Sequence, residues 1–260
     1  MHKLIVLRKK NFLLAGIISL LLIMYFNLKP SVQSVFNSHK LLPIYCVDRD
    51  DNKISLSFDA AWGADDTDKL LEILNNNDVR ATFFLCGYWI DKYPDEVKKI
   101  ISYGHDVGNH GNTHAHGNKL SLEQNKQEIL RAHKKIQALF DEQEQDLKIN
   151  LFRPPFGEYN DTVIQAAQEL NYYPIQWDVD SLDWKELGAE HELNHVLNHK
   201  KLKSGSIILF HNDAKYTPKV LNKIIKGLKE KNYELVPISE LIYKENYRIN
   251  HEGRQILNDK

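Results

Sequence analysis

Little in this 260-residue chain is extreme, and each shortage excludes something. It holds only two cysteines, Cys46 and Cys86. That is too few for a disulfide framework, so an apolar core must carry the fold. Neither sign of charge dominates: 34 Lys+Arg against 35 Asp+Glu leave a net charge of -1, which removes the electrostatic argument for a nucleic-acid partner. No internal repeat and no low-complexity tract is present, so a solenoid and a disordered linker are excluded as the main architecture. Long apolar runs are missing too, apart from "NFLLAGIISLLLIMYFNL", which carries no charge over 18 positions.

That run is slightly short of the roughly 20 residues that cross a hydrocarbon core, yet within the usual range. Ahead of it, "MHKLIVLRKK" holds Lys3, Arg8, Lys9 and Lys10, a positive flank that places the N-terminus in the cytoplasm and the remainder outside. "MYFNLKPSVQS" offers no clear small-x-small cleavage site. The expectation is an uncleaved single-pass membrane anchor over residues 1–28 with an extracellular domain beyond it. Residues 29–52 read as a polar linker, 53–244 as the domain, and 245–260 as a polar tail. The two cysteines fit either a disulfide or separate buried thiols.

A hydrophobic content of 42% is ample for a packed core. From Lys53 onward, short apolar runs ("ISLSF", "ATFFLC", "HDVGNH", "LFRPPFG", "YYPIQW", "SIILFH") alternate with longer amphipathic stretches such as "DDTDKLLEILNNN" and "PKVLNKIIKGLKEK". Repeated strand–helix units imply an α/β fold with parallel strands and helices outside, as an open sheet or a barrel. In "KISLSFDAAWGADD", Ile54, Leu56 and Phe58 alternate with Ser55 and Ser57, which predicts a strand with one face buried. Asp59, His110, Arg153 and His211 each stand at the C-terminal end of such a run. In α/β folds those ends open onto one face, where the connecting loops build the site.

The residue types there suit hydrolysis. His110 and His114 in "GNHGNTHAHG" are four apart, with His116 close by. Neutral imidazoles suit zinc and similar divalent ions, though solvated loop histidines fit the same segment. In "LFRPPFGEYN", two prolines fix the backbone so that the next free amide, that of Phe156, can point into a cleft. Arg153, set beside Asp59, would keep that acid ionised. "WDVDSLDWK" contributes Asp178, Asp180, Asp183 and Trp184, equally readable as an acidic surface loop.

In this order the segments resemble the polysaccharide deacetylase family, carbohydrate esterase family four, which carries five ordered motifs. They read here as Ser57-Phe58-Asp59-Ala60-Ala61, His110 to His114, Arg153-Pro154-Pro155-Phe156, Asp180-Ser181-Leu182-Asp183-Trp184 and Leu209-Phe210-His211. The similarity covers about residues 53–241. It implies a distorted (β/α) barrel of about seven strands and metal-dependent removal of N-acetyl groups from a glycan, with peptidoglycan ahead of chitin-like oligomers or O-acetyl esters. By resemblance, Asp59 is the base and His211 the acid. Asp183 would hold the His211 ring, and Arg153 would orient Asp59. The Phe156 amide would cradle the oxyanion, while Leu209 and Trp184 would wall the acetyl pocket. His110 and His114 would hold a divalent ion: zinc first, then cobalt, manganese or nickel.

One position departs from that pattern. The family's second motif-one acid, a metal ligand, is replaced by Ala60, which leaves two protein donors where catalytic zinc usually takes three. Asp65 or Asp66, His116, or solvent and substrate oxygens could complete the set, or the chain binds glycan without cleaving it. A separate segment, His191-Glu192-Leu193-Asn194-His195 with His199 beyond, matches the H-E-x-x-H pattern of zinc proteases. It lacks an obvious third ligand and substrate cleft, so the expectation is a solvated helix face on which substitution of Glu192 costs a deacetylase little.

Overall fold

The computed structural model describes residues 40–146 and 150–258, together with Ser19. The expected anchor over residues 1–28 lies outside them apart from Ser19. Among the described residues no helix is long and apolar enough to cross a membrane.

The strands in chain order are β1 (Cys46–Val47), β2 (Lys53–Ala60), β3 (Thr82–Leu85), β4 (Asp106–Asn109), β5 (Leu151–Phe152), β6 (Tyr173–Pro174), β7 (Val179–Asp180), β8 (Ile207–His211), β9 (Glu234–Leu235), β10 (Tyr247–Ile249) and β11 (Arg254–Leu257). Seven of them lie side by side in the order β6-β5-β4-β3-β2-β8-β7 and curve into a half-barrel, every neighbouring pair parallel. β9 adds a parallel pairing at the start of β2. Crossover helices such as Thr67–Asn76, Leu122–Glu142 and Thr217–Glu230 link the strands. The long helix opens on a reciprocal capping box formed by Ser121 and Gln124.

The alternation in β2 explains its central place. Ile54, Leu56, Phe58 and Ala60 face the helical layer, packed with Phe83, Phe210, Leu70 and Ile224. Phe58 stacks on Phe83 at 5.0 Å and on Phe210 at 5.5 Å. Each such side chain contributes about 1.5–3 kcal/mol by burial. The opposite face, expected to be solvated, is buried as well, because the barrel interior covers it. Its serines are satisfied internally: Ser55 Oγ donates to the Val236 carbonyl at 2.7 Å and Ser57 Oγ to the Ile208 carbonyl at 2.8 Å.

Among the described residues the folded unit begins at Leu41 and continues past residue 244, wider than the expected 53–244. Within the expected linker, Ile44 is fully buried and bridges to Ile175. The expected polar tail supplies β10 and β11, which form a three-stranded sheet with β1 in the order β1-β11-β10. Hydropathy conceals this sheet because one of its buried residues is polar. Gln255 accepts from the Tyr243 N–H at 2.9 Å and donates to the Tyr243 carbonyl at 2.7 Å. Cys46 and Cys86 are separate buried thiols, not a disulfide.

Candidate active site

At the C-terminal mouth of the half-barrel, the penultimate residue of β2, Asp59, meets the residue that follows β5, Arg153. Arg153 is 0% exposed. Its Nη1 donates to Asp59 Oδ1 at 2.7 Å, and its Nη2 to Ser57 Oγ at 2.9 Å and to the Gln176 carbonyl at 3.1 Å. The guanidinium lies 4.1 Å over the Phe84 ring, a contact open to a planar, weakly hydrated cation. Burial alone would push the Asp59 carboxyl up. The charge and hydrogen bond of Arg153, with His110 and His211 beside it, together outweigh burial, and the carboxyl is held below its ordinary value as an ionised group.

His110 follows β4. Its Nδ1 donates to the Arg153 carbonyl at 2.8 Å, since a carbonyl only accepts. The Nε2 lone pair therefore turns toward Asp59 Oδ2, 3.6 Å away. Burial lowers the His110 pKa, and burial with the neighbouring His110 lowers that of His114 to about 4, so both rings are neutral at pH 7. His114 has φ 54° and sits edge-on to His110 at 5.0 Å between ring centres. The loop between them is held by Glu128, whose Oε2 accepts from the Asn112 N–H at 3.1 Å, the Thr113 N–H at 2.7 Å and Thr113 Oγ1 at 2.9 Å.

His211 ends β8 and is the direct register partner of Asp59 across the β2–β8 pairing. Its Nδ1 meets Asp183 Oδ1 at 2.8 Å and its backbone N–H donates to Asp183 Oδ2 at 2.7 Å. Burial would lower the His211 pKa, but the hydrogen bond and charge of Asp183, with Asp59 beyond, raise it to about 9. A carboxylate and an imidazolium thus stand side by side at one mouth. Leu209 lies on the same face of β8 as His211, two residues earlier. The Trp184 N–H donates to Asp183 Oδ1 at 2.7 Å while its indole is 57% exposed. Phe156, at φ 60°, brings its ring 4.3 Å from His114 and 4.4 Å from His116.

The expected supplementary metal donors stand elsewhere. Among the described residues no three His, Cys, Asp or Glu side chains gather so as to hold a metal ion. Asp65 is exposed in the turn before the helix Thr67–Asn76. His116 is engaged by Glu158 at 2.9 Å and stacks on Phe156. Ala60 faces the apolar layer. The two imidazoles suit a divalent ion in type but fall one donor short of a catalytic centre.

Two further residues escaped the sequence reading, and a third, Glu192, was placed on the wrong side of its helix. Trp62 is exposed and sits edge-on to His114 with 4.8 Å between ring centres, legible only as an aromatic in the loop after Asp59. Glu128 sits on a helix that no motif marks. Glu192 is buried, not solvated. His191 and His195 on the helix Ala189–Leu197, and His199 just past its end, follow one another at ring spacings of 5.8 and 5.2 Å, while Glu192 Oε1 lies 2.9 Å from Thr217 Oγ1. The protease pattern therefore has its glutamate engaged in the interior and no third ligand.

The family model described as polysaccharide deacetylase matches residues 47–175. A peptidoglycan-N-acetylglucosamine deacetylase of Bacillus cereus is 34% identical over 194 residues, covering 73% of this chain and 87% of that protein. The peptidoglycan-N-acetylmuramic acid deacetylase PdaA of Bacillus subtilis is 26% identical over 200 residues, covering 75% and 73%. The crystal structure of a CE4 family pseudoenzyme from Bacillus anthracis superposes with a TM-score of 0.72 at 32% identity, covering 78% of this chain and 69% of that one.

Proposed function

The chain belongs to the polysaccharide deacetylase family, and from that premise we propose that it hydrolyses the acetamide of an N-acetylated peptidoglycan sugar, with Asp59 as base and His211 as acid. The observation that carries this reading is the pairing of Asp59 with His211 on adjacent strands in complementary protonation states. Ionised Asp59, oriented by Arg153, takes a proton from water, and the water oxygen adds to the acetyl carbonyl carbon. The C–N bond then breaks, the amine takes its proton from the His211 imidazolium, and acetate leaves. Asp183 holds the ring that donates. In this reading the Phe156 amide carries charge developing on the carbonyl oxygen, and Leu209 and Trp184 flank the acetyl methyl. No step is assigned to a metal, because His110 and His114 supply two donors only.

The similarity to two peptidoglycan deacetylases supports the substrate class. The apolar run near the N-terminus supports a membrane-anchored, extracellular placement, where cell-wall glycan lies. A second reading, glycan binding without cleavage, is favoured by Ala60 and by the likeness to a CE4 family pseudoenzyme. Acetate release from N-acetylglucosamine oligomers and from peptidoglycan, with chelator and with added zinc, cobalt, manganese or nickel, separates the two. D59N and H211A are expected to abolish release. Wild-type rates in either variant would remove the mechanism, and no release by the wild type from any acetylated glycan would favour the second reading.

A further inference from the structure

Asp183 is buried and nearly saturated with donors. Its Oδ1 meets His211 Nδ1 at 2.8 Å and the Trp184 N–H at 2.7 Å, and its Oδ2 meets the His211 N–H at 2.7 Å. The remaining neighbour is Thr217 Oγ1, 3.3 Å from Oδ2. That hydroxyl also lies 2.9 Å from Glu192 Oε1. A threonine has one proton to give and here faces two carboxyl oxygens. With both acids ionised, one contact would be oxygen against oxygen with no hydrogen between them, and two buried negative charges would share one hydroxyl.

We propose that Glu192 is held as a neutral carboxylic acid that donates to the Thr217 hydroxyl, turns that hydroxyl toward Asp183, and so acts as a positioning residue for the Asp183–His211 pair. A second observation points the same way. Glu192 Oε2 is buried with no hydrogen-bond partner, a severe penalty for half of a carboxylate and a mild one for the carbonyl of a neutral acid. Among the described ion pairs none includes Glu192. Its helix neighbour Glu190 pairs with Lys223 at 3.6 Å on the surface. The groups facing Glu192 from the packed elements are Thr217 and Asp183, with His211 beyond. Burial raises the Glu192 pKa to about 7, Thr217 opposing and Asp183 reinforcing. The inference rests on His211 being the acid only for its catalytic consequence; the proton on Glu192 is measurable without turnover.

E192Q is the decisive variant, because the amide is neutral and still donates to Thr217. At about pH 6, below the ordinary histidine value, the infrared difference between wild type and E192Q is expected to show a protonated-carboxyl stretch. At that same pH the His211 imidazole resonances are expected to coincide in wild type and E192Q, since position 192 is then uncharged in both. A missing band would show an ionised Glu192 and overturn the proposal, as would His211 resonances displaced between the two proteins at about pH 6. T217V is expected to lower kcat severalfold with KM unchanged and to displace the His211 midpoint, while T217S restores both. An unchanged midpoint in T217V would refute the positioning role. If wild type releases no acetate, the infrared and NMR results still decide this proposal independently of the deacetylase reading.

Discussion

Replacing Asp183 with asparagine keeps the shape of the side chain and removes the charge that holds His211. In the wild type, His211 is raised from 6.5 to about 9, a gap that corresponds to about 3 kcal/mol at ~1.36 kcal/mol per pH unit. The ring is mostly buried, so solvent screening trims this figure only modestly. The sign follows from the raised value. The folded state binds the proton more tightly than the unfolded chain, so the stabilisation is complete below about pH 6.5 and is lost as pH rises through about 9. The amide in D183N would also forfeit donors, since its nitrogen cannot accept from the His211 N–H or from Thr217. That loss costs about 1–3 kcal/mol at any pH. Urea unfolding of wild type and D183N at about pH 6, 7.5 and 9.5 should therefore give a stability difference that shrinks by about 3 kcal/mol across the series onto a constant remainder. A difference flat to within about 1 kcal/mol, or a D183N protein whose His211 still titrates near 9, would refute the assignment of that shift to Asp183.

Other consequences follow from the same geometry. R153A leaves Asp59 buried without its cation and is expected to cost about 3–5 kcal/mol in urea unfolding; a loss under about 1 kcal/mol would mean that the pair is not buried as described. The pH profile of kcat/KM for acetate release should step down near 7, as Glu192 ionises, fall further above about 9, as His211 loses its proton, and hold on the acid side until below the ordinary carboxylate value of 3.8. A plateau persisting well beyond pH 9 would exclude His211 as the acid. Because two imidazoles make an incomplete site, chelation is expected to move the thermal midpoint by less than about 1 °C, and a drop of several degrees would reveal a third donor that this conformation does not present.

The sequence by itself determined the elements and the address of the site. Period-two alternation in β2 and apolar stripes such as Leu70, Leu71 and Leu74 are local signals. Parallel strands joined by crossover helices then bring Asp59, His110, Arg153 and His211 to one end. Tertiary structure alone decided what each polar group meets there. Residues 254–257 became a strand by pairing with β1 and β10, and the buried Gln255 is satisfied there by the backbone of Tyr243, a match that hydropathy cannot register. Among the described residues, Asp65 and His116 do not gather with the two imidazoles, a matter of position and not of type. Glu192 left the solvated face expected of it because the packing of its helix against Thr217–Glu230 carries its carboxyl inward. Periodicity is a property of neighbours along the chain. The proton count on a hydroxyl shared by residues 183, 192 and 217 depends on distances of a few ångströms that exist only after the chain has closed around them.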